Sequence, residues 1–216
     1  MLKRLVSALG LLGTACSNTP AFSGTFPDPP ESKLAAPGAA QETAVLAGGC
    51  FWGVELVFQN LKGVSQAVSG YAGGSKKSAH YEMVSDGNTG HAEAVQVTFD
   101  PSKISYGQLL KVFFSVAHDP TQKNRQGPDV GTQYRSAIFY TNPAQKDVAE
   151  AYIRELNSAK VFSKPIATEV VALPEFFTAE GYHQKFAEKN PGHPYIAAHD
   201  LPKLRNLKGQ YPEMVK

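Results

Sequence analysis

The chain has 216 residues, of which 42% are hydrophobic and 19% charged, so it is long enough for one globular domain with its own hydrophobic core. Its 21 Lys and Arg residues against 19 Asp and Glu residues give a net charge of +2, which is too small to favour nucleic acid or an anionic membrane surface as a partner. Two cysteines are too few for a disulfide framework or a Cys-rich zinc module.

Residues 1–15 have the pattern of a secretory signal peptide. Lys3 and Arg4 precede a short apolar stretch at 5–12, and small residues follow at 13–15. The stretch is well short of the roughly 20 apolar residues that a membrane-spanning helix needs. Cys16 comes next, as at a bacterial lipoprotein processing site, which this segment resembles. We therefore expect export to the bacterial periplasm, either anchored through a lipid on Cys16 or, with cleavage elsewhere, free with Cys16 as an ordinary thiol.

The segment at 16–40 is rich in Pro, Ala and Ser. Five prolines occur within it, at positions 20, 27, 29, 30 and 37. This composition predicts a flexible or polyproline-like tether without fixed structure between the N-terminal signal and the domain.

Residues 41–200 alternate between strand-like and helix-like patterns and form the predicted catalytic domain. Strands are predicted at 43–47, 64–71, 92–99, 136–140 and 166–173, and helices at 51–61, 105–117, 142–158 and 179–189. The longest predicted loops are 70–88 and 119–134. The β-α-β-β-α-β order predicts an α/β fold, a two-layer ferredoxin-like plait with a mixed sheet and helices packed on it. Residues 201–216 are a charged C-terminal tail to which the sequence assigns no function.

A candidate nucleophile, Cys50, lies where the first strand gives way to the first helix, after Gly48 and Gly49. A thiol in the first turn of a helix meets free N–H groups and the positive end of the helix dipole, which favour the thiolate and predict a lowered pKa. Phe51 and Trp52 place aromatic surface beside the sulfur. The alternative is a buried, unreactive cysteine that only fills the core.

Strand alternation places Glu93 on the same face as Val95 and Val97. Burial of a carboxyl raises its pKa, so Glu93 is a candidate proton donor near pH 7. The alternative is a glutamate at the strand end that reaches solvent.

Three further polar residues, Tyr81, Asp129 and Tyr134, lie on loops and have no evident structural role. Tyrosine hydroxyls on glycine-rich loops can hydrogen-bond a substrate oxygen, and a loop aspartate can orient its neighbours. Each of the three also fits ordinary turn chemistry or half-buried packing.

Five motifs occur in a fixed order: Gly49-Cys50-Phe51-Trp52-Gly53, Gly70-Tyr71-Ala72-Gly73-Gly74, Gly90-His91-Ala92-Glu93-Ala94-Val95, His118-Asp119-Pro120 and Gly131-Thr132-Gln133-Tyr134-Arg135. Together they resemble the type A peptide methionine sulfoxide reductases over residues 43–190. These enzymes restore methionine from methionine sulfoxide, and each type acts on one sulfoxide epimer.

The resemblance implies a role for each candidate residue. Cys50 is the nucleophile that becomes a sulfenic acid, and Glu93 donates a proton to the sulfoxide oxygen. Tyr81, Asp129 and Tyr134 hold that oxygen and water. The methyl group of the substrate packs against Phe51 and Trp52. The implied substrate is methionine-S-sulfoxide, in oxidised proteins or free, and neither a metal nor an organic cofactor is implied.

Residues 190–216 contain no cysteine, although many members of the family carry resolving cysteines near the C-terminus. A lipidated Cys16 would have no free thiol, and a free Cys16 could act on Cys50 only if its tether reached the site. We therefore expect Cys50 to be regenerated by an external thiol, either a thioredoxin-like protein or a small thiol. We expect a monomer that contacts the membrane only through the lipid on Cys16.

Three other functions are compatible with parts of the sequence. The six histidines would allow a Cys-His hydrolase or acyltransferase, which should act without added thiol. A zinc site from Cys50 and scattered histidines lacks paired ligand spacing. A non-catalytic lipoprotein fits the N-terminus but leaves Cys50 and Glu93 unexplained.

Overall fold

A computed structural model describes residues 25–30 and 33–216. The predictions for the signal peptide and for Cys16 lie outside these residues. The strands are β1 (Glu42–Gly48), β2 (Val64–Ala72), β3 (Ala92–Phe99), β4 (Arg125–Gln126), β5 (Asp129–Val130), β6 (Ser136–Tyr140), β7 (Glu169–Ala172) and β8 (Phe176–Thr178). The α-helices are α1 (Phe51–Gln59), α2 (Tyr81–Ser85), α3 (Tyr106–Val112), α4 (Pro143–Ser158), α5 (Phe186–Lys189) and α6 (Leu201–Gln210).

Six of the strands form one mixed sheet in the order β7-β6-β1-β3-β2-β8, and β4 pairs with β5 in a separate hairpin. All neighbours in the large sheet are antiparallel except β6 and β7, which are parallel. The predicted α/β fold with a mixed sheet and packed helices is confirmed.

Period-2 alternation along the central strands separates two apolar faces. On one face, Leu46, Val97 and Phe99 pack with Phe58 of α1 and Leu109 of α3 in the main core. The opposite face carries a smaller cluster of short side chains and Phe139, covered in part by Leu173 and Phe176. Burial of each large apolar side chain contributes roughly 1.5–3 kcal/mol, so the helix-covered face dominates the stabilisation.

Helix starts follow their capping residues. The Asn142 side chain accepts a hydrogen bond from the Gln145 backbone N–H, and Pro143 occupies the first turn, as the sequence predicts for α4. Ser105 and Gln108 form a reciprocal capping box at α3. The second half of the helix predicted at 105–117 is a π-helical turn, Phe113–Ala117.

Two predicted elements are wrong in part. The loop predicted at 70–88 contains α2, and the helix predicted at 179–189 is reduced to α5. Lys185 has a left-handed backbone (φ 55°), which interrupts helical hydrogen bonding. Its backbone N–H donates to the buried Glu55 carboxylate of α1 at 2.9 Å. This contact across 130 residues of sequence is invisible to a local helix pattern.

Residues 25–30 lie against the domain rather than free of it. The Tyr152 hydroxyl donates to the Pro27 carbonyl oxygen at 2.6 Å, and the Phe26 ring packs edge-on against Phe162. Lys111 pairs with Asp28 at 2.6 Å. These three contacts therefore hold residues 25–30 of the predicted tether against α3, α4 and the residues that follow α4.

Residues 201–216 are also integrated into the fold rather than forming a loose tail. α6 packs on α1, with Leu207 fully buried and Tyr211 nearly so. The Lys216 backbone N–H donates to the Asn60 carbonyl oxygen at 2.9 Å, beyond the end of α1. Arg205 and Lys208 face outward, whereas Lys203 pairs with the buried Asp200, and the apolar side of the helix closes the domain. In the part of the chain that the structure describes, no helix has the length and apolarity needed to cross a bilayer.

Candidate active site

Cys50 is the N-cap residue of α1, immediately after the Gly48-Gly49 turn. Gly49 has φ +90°, and a Cβ there would lie 2.5 Å from Cγ of Gln126, so glycine is required on both conformational and steric grounds. The cysteine is a free thiol and only 8% exposed. The strand–turn–helix junction thus presents a largely buried sulfur at the start of a helix.

The prediction of a lowered pKa for Cys50 is wrong. Burial raises the pKa of the thiol well above its ordinary value, and the negative charges of Glu93 and Asp200 raise it further. A hydrogen bond from the Trp52 backbone and the Lys203 charge act in the opposite direction. The helix N-terminus supplies only about half an elementary charge, which does not offset the loss of water around the sulfur. Cys50 is therefore a protonated thiol at neutral pH.

Glu93 lies on β3, is 3% exposed and points to the same face as Val95 and Val97. Its Oε2 accepts a hydrogen bond from the Phe51 backbone N–H at 3.0 Å, which brings the carboxyl to the first turn of α1. Burial raises the pKa of Glu93 to about 8, against the lowering effect of the Phe51 hydrogen bond. At pH 7 this side chain is mainly a neutral carboxylic acid, poised to donate a proton.

The three loop residues converge on the same site. Tyr81 opens α2, Asp129 lies on β5, and Tyr134 closes a short 3-10 turn, Thr132–Tyr134. Burial raises the pKa of Tyr134, and the charges of Glu93, Asp129 and Cys50 raise it further. The pKa of Tyr81 is raised by burial, by Glu93 and by Cys50. Both hydroxyls are therefore protonated donors within electrostatic reach of Cys50 and Glu93.

Aromatic rings form one wall of the site. Phe51 is almost fully buried, with its ring centroid 4.9 Å from His183 and 5.9 Å from Tyr71. Trp52 stays partly exposed and stacks on Phe186 at 4.0 Å. Of the two aromatic residues predicted from the sequence, only Trp52 thus offers ring surface to an incoming group.

Three further site residues come from the C-terminal third of the chain and were missed by sequence reasoning. The Tyr195 hydroxyl donates a short hydrogen bond to Asp129, and its ring meets Trp52 edge-on at 6.1 Å. His183 accepts the Trp52 indole N–H at Nδ1 (3.1 Å), and burial lowers the pKa of its imidazole. Asp200 is fully buried. Nothing in their local sequence marks them, because their role depends on contacts with distant elements.

Two buried histidines, His91 and His118, have hydrogen-bond partners other than Cys50. His118 pairs with the Ser136 hydroxyl at 2.7 Å and the Phe113 carbonyl oxygen at 3.0 Å, and burial lowers its pKa to about 4. His91 Nδ1 accepts the Gly74 backbone N–H. Such contacts give these rings structural roles and do not favour a Cys-His hydrolase. Residues 25–30 and 33–216 hold no group of three or more His, Cys, Asp or Glu side chains arranged to bind a metal ion.

Known proteins share this arrangement of sequence and fold. The family model of peptide methionine sulfoxide reductase matches residues 42–214. The chain is 58% identical to peptide methionine sulfoxide reductase MsrA 2 of Mesorhizobium japonicum, covering 83% of this chain and 91% of the relative. It is 52% identical to the MsrA 2 of Synechocystis sp., covering 90% and 92%.

Two solved structures have a similar fold. Mxr1 from Saccharomyces cerevisiae in reduced form aligns with a TM-score of 0.66 and 33% identity, covering 75% of this chain and 91% of that one. Methionine sulfoxide reductase A of Corynebacterium diphtheriae aligns with a TM-score of 0.60 and 35% identity, covering 79% and 87%. The family match extends to residue 214 and so includes α6.

Proposed function

The chain belongs to the peptide methionine sulfoxide reductase family, an oxidoreductase family that reduces sulfoxides with a thiol as electron donor, and we propose how its residues carry out that reaction. Cys50 is the nucleophile and Glu93 the proton donor. The substrate is methionine-S-sulfoxide, in oxidised proteins or free. The observation that carries this assignment is the buried Glu93 carboxyl, hydrogen-bonded to the residue that follows Cys50.

Substrate binding divides into an apolar and a polar part. The methyl group of methionine sulfoxide packs against the partly exposed ring of Trp52, and the buried Phe51 ring is part of the same aromatic wall. The sulfoxide oxygen turns toward Glu93 and the hydroxyls of Tyr81 and Tyr134, which are neutral donors. Asp129, itself fixed by the Tyr195 hydroxyl, orients the donors and water around that oxygen.

In the reaction, the sulfur of Cys50 attacks the sulfoxide sulfur while the oxygen takes a proton from Glu93. The resulting hydroxyl is then transferred to the Cys50 sulfur. The bond between this oxygen and the substrate sulfur breaks, and so does the bond that the attack formed between the two sulfurs, which releases methionine. The substrate sulfur gains two electrons and the Cys50 sulfur loses two. The thiol proton of Cys50 replaces the one that Glu93 gave up, and Cys50 is left as a sulfenic acid.

We propose that Cys50 is regenerated by a thiol from outside the chain. Cys50 is the only cysteine of the described residues, and residues 190–216 contain none. An external thiol attacks the sulfenic acid, releases water and forms a mixed disulfide, which a second thiol resolves. We propose a thioredoxin-like protein or a small thiol as this reductant, with no metal or organic cofactor.

We further propose that the protein is exported to the periplasm as a monomer, with Cys16 as its lipidation site. The support is the basic–apolar–small pattern of residues 1–15 followed directly by Cys16. We also propose a ferredoxin-like plait for the core. It is supported by the order β6-β1-β3-β2, antiparallel throughout, with α1 and α3 on one face.

The test is turnover of a dabsylated methionine-S-sulfoxide by the full chain, with and without dithiothreitol. We expect thiol-dependent turnover by the wild type that is abolished in Cys50→Ser and retained in Cys16→Ser, the matched control. The R epimer should not react. Failure to reduce either epimer, or undiminished turnover by Cys50→Ser, would overturn the assignment.

A further inference from the structure

An ion pair with a fully buried carboxylate lies beside the nucleophile, and the proposed reaction does not use it. Asp200 is 0% exposed, and the Lys203 ammonium lies 3.3 Å from its Oδ1. Within the described part of the chain, neither carboxylate oxygen of Asp200 has a donor in hydrogen-bond geometry. A buried carboxylate with so few partners is costly, so its retention calls for a reason beyond packing.

The Asp200–Lys203 pair lies against the first turn of α1. A π-helical turn, Ile196–Asp200, runs directly into α6 and brings Asp200 and Lys203 against Gly53. A Cβ added to Gly53 would lie 2.1 Å from Asp200 Oδ1 and 2.6 Å from Lys203 Nζ. The absence of a side chain at position 53 is therefore what allows both charges to reach the helix backbone three residues beyond Cys50.

We propose that Asp200 and Lys203 are a positioning pair. Their charges set the electrostatic potential at the start of α1 and thereby the reactivity of the Cys50 sulfur toward electrophiles. This role deepens the one proposed for Cys50 and rests on it. The helix N-terminus offers only about half a positive charge, and the Asp200 carboxylate competes with a Cys50 thiolate for it. Lys203 offsets part of this competition.

Burial raises the pKa of Asp200 above its ordinary value, although the adjacent Lys203 lowers it. The Lys203 ammonium at 3.3 Å favours the ionised carboxylate. His199 and Asp129 also face Asp200. The groups that face Cys50 are Glu93, Asp200, Lys203 and the phenols of Tyr81, Tyr134 and Tyr195. On Cys50, Asp200 raises the thiol pKa more than Lys203 lowers it. The net effect of the pair is to keep the sulfur protonated.

The experiment is the pH profile of Cys50 alkylation by iodoacetamide in the full chain. The peptide containing Cys50 is quantified by mass spectrometry, so that Cys16 does not contribute. Asp200→Asn should lower the apparent thiol pKa by about one pH unit and speed alkylation at pH 7 roughly three- to tenfold, because more thiolate is present although each thiolate is less nucleophilic.

Further variants separate charge from structure. Asp200→Asn with Lys203→Met should fall between the wild type and Asp200→Asn, whereas Lys203→Arg should match the wild type. Asp147→Asn removes an exposed carboxylate from α4 and serves as the control, with no expected shift. Circular dichroism shows whether Asp200→Asn folds. If it does not, the test uses the double variant, which leaves no half-buried lysine without a partner.

An unchanged or raised thiol pKa in the folded Asp200→Asn or double variant would overturn the proposal and leave the pair a purely structural contact. Alkylation consumes neither sulfoxide nor reductant. The profile can therefore be measured whether or not the chain reduces methionine sulfoxide, and the two proposals fail independently.

Discussion

Replacing Glu93 by Gln removes the acidic proton while keeping the size of the side chain and an oxygen that can accept the Phe51 backbone N–H. If Glu93 protonates the departing oxygen, turnover should fall by roughly 10²–10⁴-fold, the usual contribution of a general acid. The wild type should also lose activity as the pH rises through about 8, where Glu93 gives up its proton. The residual activity of Glu93→Gln should show no such step.

The same substitution should stabilise the fold at high pH. Burial raises the pKa of Glu93 to about 8. Between its ordinary carboxyl pKa and pH 8, Glu93 therefore keeps its proton in the native state and has lost it in the unfolded state. The free energy of unfolding of the wild type therefore falls as the pH rises from about 4.5 to 8, by on the order of 4 kcal/mol from this residue. Glu93→Gln abolishes that part of the loss.

The assays are thiol-dependent turnover across pH 6–9 and urea unfolding at pH 5 and pH 8. Glu155→Gln, an exposed glutamate on α4, is the control and should match the wild type in both. Turnover of Glu93→Gln within threefold of the wild type would refute the role of Glu93 as proton donor. A loss of stability between pH 5 and pH 8 as large as that of the wild type would refute its raised pKa.

Three more substitutions test other contacts. Tyr195→Phe removes the donor to Asp129 and should lower kcat about tenfold in a chain that keeps its fold, measured by steady-state kinetics with circular dichroism as the check of folding. An unaltered kcat would contradict the role of Asp129. Trp52→Ala removes the stacked ring on Phe186 and should raise KM for the sulfoxide at least tenfold, and an unchanged KM would exclude it from binding. Tyr152→Phe leaves the Pro27 carbonyl without its donor and should cost about 1 kcal/mol in urea unfolding, with turnover unaffected; no stability loss would show that residues 25–30 are not held there.

Local patterns predicted the features that depend on neighbouring residues. Alternation along β3 identified the face of Glu93, because a strand with one buried face fixes every second side chain. The Asn142-Pro143 start of α4 followed from capping chemistry within four residues. The position of Cys50 at the start of α1 likewise follows from the two glycines before it.

The remaining features depend on residues far apart in the sequence. The helix dipole predicted a lowered pKa for Cys50, but the pKa is raised, because burial by distant elements outweighs the local dipole. The helix predicted at 179–189 is interrupted at Lys185, whose backbone is held by Glu55 of α1. Asp200 and Tyr195 reach the site only because the C-terminal helix folds back on α1. Their sequence neighbours give no sign of that contact.

The most direct test of the proposed chemistry is a single-turnover measurement without added thiol. The full chain carrying Cys16→Ser, in which Cys50 is the only cysteine, is mixed with excess methionine-S-sulfoxide, and the released methionine is counted. We expect one methionine per chain, with a sulfenic acid on Cys50 detected by mass spectrometry after trapping with dimedone. Release of two or more methionines per chain, or release of methionine with Cys50 unmodified, would contradict the proposed mechanism.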